Sequence, residues 1–208
     1  MDTYDTARMP RGRYTVLDPD GRPVGTEEFR CAPGPMGWRY FSDVDTTDPT
    51  PHREVVDLVV DTGWRLVRAR IATGEHEILL EPMNDRLVGW RDRQPIEIVY
   101  GPEWHLDYLT PAANAITCRR LEQSAELDVV WLTPAALEPV AVRQRYELVG
   151  PERVETAAGT FDAVRWRFTF LDDGLGADLW IAGDVIVRYE GLYDLVRYEA
   201  GESGPRPV

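Results

Sequence analysis

The feature that most constrains this chain is a rhythm: a short segment of alternating apolar and polar residues, then a turn signal, repeated along most of its length. Val164, Trp166, Phe168 and Phe170 alternate with Arg165, Arg167 and Thr169, and Val142, Gln144, Tyr146 and Leu148 alternate with Arg143, Arg145 and Glu147. Successive side chains of a strand point to opposite sides of a sheet, so this period fits strands with one buried face. The breaks fall at Asp18-Pro19-Asp20-Gly21, Asp61-Thr62-Gly63, Thr73-Gly74, Asp172-Asp173-Gly174 and Ala182-Gly183-Asp184. There Pro presets a turn torsion or Gly tolerates positive φ.

Between the breaks, strands are expected at 13–17, 24–31, 38–44, 53–60, 64–72, 76–82, 86–92 and 95–100. After one helical segment come 125–132, 142–149, 161–171, 177–182, 185–189 and 193–199. Short strands joined by tight turns read as an antiparallel meander. There are too many for one flat sheet, so the expected fold is mostly β: a strongly curved antiparallel sheet, an open or half β-barrel, with one short helix.

The helix is signalled by Thr110-Pro111, because a Thr hydroxyl caps exposed amides and Pro suits the first turn. It is expected to continue over 112–121, with Ile116 and Leu121 toward the sheet and Arg119 and Arg120 near its C-terminal dipole. A lone helix beside a curled sheet plugs it or covers one face.

At 208 residues the chain fits one domain, expected over 11–200, with flexible ends at 1–10 and 201–208. A net charge of −13, from 23 basic and 36 acidic residues, disfavours nucleic acid as a partner. All 23 basic residues are Arg, and an inward guanidinium offers a planar fork to a polar head group. The first ten residues are polar and show no signal peptide, which makes the expected compartment cytoplasmic. No apolar run approaches the ~18 residues of a membrane span. Cys31 and Cys118 fit no metal or redox spacing and are expected to be free core thiols.

The chain has no HExxH, CxxC, Walker-type loop, GxGxxG or GxSxG, and no cofactor or metal is expected. Ser42, Ser124 and Ser203 are its only serines, and none sits in a nucleophile elbow. His52, His76 and His105 fall in different segments, and Glu75-His76-Glu77 reads as a solvated hairpin tip. His105 and Asp107 are the weak catalytic candidates, since residues two apart in a strand share a face and could pair a base with an orienting carboxylate. The alternative is that both are structural, holding the start of the helix. Trp64, Trp90, Trp104, Trp131, Trp166 and Trp180 lie in or beside strands, where aromatic rings pack a core or line a cavity for an amphipathic ligand.

Several short segments carry a family resemblance: 61–68 (DTGWRLVR), 106–114 (LDYLTPAAN) running into Arg119-Arg120-Leu121, Arg143-Gln144-Arg145-Tyr146, and 187–193 (VRYEGLY). In their order and spacing the chain, from about 57 to 198, resembles a family of bacterial proteins named for an inferred glycolipid-binding role, whose members look like the open half-barrels of lipoprotein carriers. Residues 11–44 depart from that pattern, and 157–164 look like a hairpin of other bacterial half-barrel families.

The resemblance implies binding of a hydrophobic or amphipathic small molecule in the lumen and carries over no catalytic residues. The ligand-binding candidates are Trp104, Asn114, Arg143, Tyr146, Trp166, Tyr189 and Tyr193. Two other readings compete: a small barrel enzyme, such as a cyclase or isomerase on a long apolar substrate, and an interaction module whose barrel is filled by its own side chains. An apolar lumen with inward Arg favours binding, an empty one lined by His105 or Asp107 favours the enzyme, and a filled one favours the module.

Overall fold

In the computed structural model the residues described are 9–47, 51–202, 204 and 206–207. Most of the N-terminal segment expected to be flexible lies outside them.

Among the described residues fifteen strands and one helix follow one another. The first limb comprises β1 (Arg11–Leu17), β2 (Pro23–Gly34), β3 (Gly37–Thr46), β4 (His52–Val60), β5 (Leu66–Ala72), β6 (Glu77–Met83), β7 (Arg86–Arg91) and β8 (Gln94–Val99). Then come β9 (His105–Asp107) and the helix α1 (Pro111–Arg120). The second limb continues with β10 (Ala125–Leu132), β11 (Pro139–Thr156), β12 (Gly159–Phe170), β13 (Gly176–Ala182), β14 (Val185–Tyr189) and β15 (Tyr193–Glu199). All fifteen form one sheet, ordered β8 to β1, then β15 down to β9. The first and last strands therefore pair at its centre, Arg11 opposite Glu199 and Val16 opposite Tyr193. Every pairing is antiparallel except that of β9 with β10. The sheet is large, antiparallel and not closed: β8 and β9 are its two edges.

Cross-limb ties hold the curl. The loop after β10 reaches the opposite limb, where the Ala135 carbonyl accepts from Thr73 Oγ1 at 3.0 Å and the Ala136 carbonyl from Arg91 Nη2 at 2.6 Å. Leu137 of this loop is completely buried. It stops that end of the barrel.

The inner face follows the predicted alternation. The Phe29 ring stacks between Tyr14, at 4.8 Å, and Tyr40, at 5.5 Å, and Trp38 continues the row 5.7 Å from Tyr40. Gly12, opposite Phe29 in the register, leaves the space for that ring; a Cβ there would stand 2.7 Å from it. Arginines take the outer face: Arg39 and Arg68 hold Asp57, and Arg165 and Arg167 hold Asp178. Among the described residues no arginine is buried. The expected inward Arg is thus corrected, because burying a guanidinium without a paired carboxylate is far costlier than leaving it in solvent.

The helix is a plug. Thr110, with φ −150°, caps it as predicted, and Pro111 to Cys118 are all buried. It packs chiefly on β14 and β9. Its N-terminus lies at the stopped end and its C-terminal arginines at the open one. Several element boundaries differ from expectation by a few residues, and two of the differences are instructive. β11 runs to Thr156, absorbing Gly150 at a register shift. The strand expected from Trp64 begins at Leu66 instead, because Asp61 Oδ1 accepts from the amides of Gly63 (2.8 Å) and Arg65 (2.9 Å) and prolongs the turn. No helix among the described residues is long and apolar enough to cross a membrane.

Candidate functional site

At the helix N-terminus two buried carboxylates meet a ring of hydroxyls. Glu27 Oε1 accepts from Tyr40 Oη at 2.7 Å and from Thr110 Oγ1 at 2.9 Å. Glu54 Oε2 accepts from Tyr108 Oη at 2.6 Å, while its Oε1 meets His52 Nε2 at 2.9 Å. Burial pushes the Glu27 carboxyl up to about 7, against the opposing pull of the Tyr40, Ser42 and Thr110 hydroxyls. Glu27 Oε2 and Ser42 Oγ lie close enough to interact yet close no hydrogen bond of normal geometry.

Along the helix, further polar groups fasten it to β9, β11 and β15. Asn114 Oδ1 accepts from Tyr146 Oη at 2.8 Å, and the Leu109 carbonyl from Tyr193 Oη at 2.9 Å. His105 Nδ1 meets Thr117 Oγ1 at 3.1 Å, and Gln144 Nε2 donates to Asp107 Oδ2 at 2.6 Å. The sequence candidates His105 and Asp107 thus turn to different partners. Burial, with the nearby Arg120 charge, drives the His105 imidazole down to about 3, so it is neutral at physiological pH. Burial raises Asp107 to about 6.

The other candidates divide. Asn114, Tyr146, Trp166, Tyr189 and Tyr193 are buried around the helix. Trp104 is half-buried, and its carbonyl accepts from Arg120 Nη1 at 2.9 Å. Arg143 faces solvent and pairs with Glu126 at 2.8 Å, outside any lumen. The hollow between the helix and β4, lined by apolar groups such as Leu58, Trp64, Leu66 and Ile116 and by the candidate His105 with Arg120, measures only about 20 Å³. That is room for about one water molecule. The expected open lumen is therefore filled by α1.

An open site lies at the other end of the helix. Three turns, 35–36, 61–65 and 183–184, converge there with Arg119 around a hollow of about 480 Å³. Trp38 Nε1 donates to Asp184 Oδ2 at 2.8 Å. The Trp64 ring stands 5.3 Å from Trp38, and the Arg119 guanidinium lies over it at 5.2 Å. Burial raises the Asp184 carboxyl, opposed by the Trp38 indole and the Arg119 charge. Among the described residues Arg119 closes no ion pair. Its charge is left to the aromatic face and to the hollow.

Sequence reasoning missed Glu27, Glu54, Trp38, Arg119 and Asp184 as a set. A signal did exist for the two acids: Glu27 is in phase with Phe29 and Cys31, and Glu54 with Val56 and Leu58, which places a carboxylate on an apolar face. The mouth residues come from separate turns, and only the register brings them together.

No known family model matches the sequence, and neither does any curated protein. Solved structures do resemble the fold. A DUF1089 family protein from Pseudomonas aeruginosa is similar with a TM-score of 0.60 and 18% identity, over 83% of this chain and 92% of that one. A β-barrel-like protein of domain of unknown function DUF1849 from Brucella abortus is similar with a TM-score of 0.54 and 11% identity, over 93% and 98% of the two chains. At these identities the likeness concerns the barrel-like fold.

Proposed function

We propose that the protein binds an amphipathic small molecule at the mouth of the half-barrel, its flat apolar part against Trp64 and its polar head between Arg119 and Asp184. The observation that carries this reading is the unpaired Arg119 guanidinium held over Trp64 beside an open hollow. An aromatic face supplies apolar contact, and a guanidinium supplies paired donors for a carboxylate, sulfonate or phosphate. Asp184, anchored by Trp38, offers an acceptor to a hydroxyl or amide on the same ligand. The plugged lumen supports a site at the mouth rather than in the interior.

A direct probe is 1-anilinonaphthalene-8-sulfonate, which combines planar rings with an anionic head. It should bind saturably at one site, and Arg119→Ala should weaken binding about tenfold at unchanged melting temperature, the size of one charge-assisted hydrogen bond. Equal affinity in the two proteins removes Arg119 and this mouth from the account. The filled lumen favours the interaction-module reading as the second one; under it the probe does not bind saturably at all.

A further inference from the structure

We infer that Trp64 is the specificity-determining residue of this mouth: it is the wall between the open hollow and the apolar interior, and it sets the length of apolar chain the protein accepts. This rests on the mouth-binding reading and adds to it a limit on the ligand.

Three observations converge on this residue. Trp64 lines both the open hollow of about 480 Å³ and the closed one of about 20 Å³ beneath the helix. Beyond its ring, the closed side is walled mostly by apolar surface, Leu58, Leu66 and Ile116 among it, which suits an alkyl chain, with His105 and Arg120 as its polar members. Lastly, its backbone has φ +60°, the left-handed region, where a bulky side chain is an outlier. That conformation is imposed by the Asp61 carboxylate on the flanking amides and by the Asp61 amide donating to the Arg65 carbonyl at 2.9 Å. A residue kept in an unfavourable conformation by its surroundings points to a role for the side chain so aimed.

The ring packs at a tilt against Trp38, 5.3 Å away, and the Arg119 guanidinium lies 5.2 Å from its centre. A short apolar chain lies against its outer face. A longer one meets the ring as a barrier and gains nothing from further methylenes, which stay in water. Removing the ring joins the two hollows, so added methylenes become buried at about fourfold in affinity each.

The test is a chain-length series of straight-chain carboxylates, butanoate to dodecanoate, measured by calorimetry on the wild type, Trp64→Ala and Trp64→Gly. Glycine at this position accepts positive φ, so the second variant keeps the fold testable if alanine does not. Wild-type affinity should rise with length and then level off. In the variants the shortest chains should bind more weakly, for want of the indole face, and the longest at least tenfold more tightly, so that the curves cross. Parallel length profiles in wild type and variants overturn the wall while leaving the mouth as a binding site. Absence of binding by all three proteins overturns the mouth reading and this inference with it.

Discussion

Thr110 Oγ1 donates to Glu27 Oε1 across 2.9 Å, tying the cap of the helix to a carboxylate 83 positions earlier in the chain. The helix is thereby located by a fully buried acid that, among the described residues, closes no ion pair. Tyr14, Tyr40 and Ser42 from β1 and β3, Glu54 from β4, and Tyr108 and Tyr193 from the other limb surround it.

That arrangement makes stability depend on pH. The folded Glu27 holds its proton up to about 7, whereas the unfolded side chain loses it near the ordinary 4.5. Between those values the folded state binds more protons, so stability falls as pH rises through the window and is flat above it. The full effect is on the order of 3 kcal/mol. Glu27→Gln keeps an acceptor for Tyr40 and Thr110 and points an amide toward Ser42. Thermal melts at pH 8 should show the variant several degrees more stable than wild type, with the difference vanishing toward pH 4. A wild-type curve parallel to that of the variant contradicts this.

His105 acts in the opposite direction. The unfolded imidazole takes up a proton near 6.5, but the buried one does so only near 3, so stability present above 6.5 is lost as pH falls toward 3. His105→Gln, which retains a polar partner for Thr117, should lose less stability than wild type between pH 6.5 and pH 4. Denaturant midpoints at both pH values measure this, and equal losses would show that the imidazole is protonated in the folded state.

Much of the fold was legible because its causes are local. Alternation at Val164 to Phe170 and at Gln144 and Tyr146 reports one buried face, and Thr110-Pro111 marks the helix start by capping chemistry alone. The plug was half legible: a lone apolar helix beside a curled sheet has to bury its surface, but only the observed burial of Pro111 to Cys118 shows it inside. The site was not legible, because Trp38, Trp64, Arg119 and Asp184 meet through long-range register. For His105 and Asp107 the spacing showed a shared strand face but not the partners. Adjacent on one strand face, they are each claimed by a nearer partner, Thr117 and Gln144, that sequence spacing does not reveal.

In the proposed binding mode, ligands enter at Trp38 and Trp64. The chain has seven tryptophans, hence seven indole N–H signals in a proton–nitrogen correlation spectrum. Titration with 1-anilinonaphthalene-8-sulfonate should shift the Trp38 and Trp64 signals saturably and with one common affinity, while Trp90, Trp131 and Trp166 stay in place. Shifts confined to those other tryptophans, or no shift at Trp38 and Trp64 at saturating probe, would contradict the account.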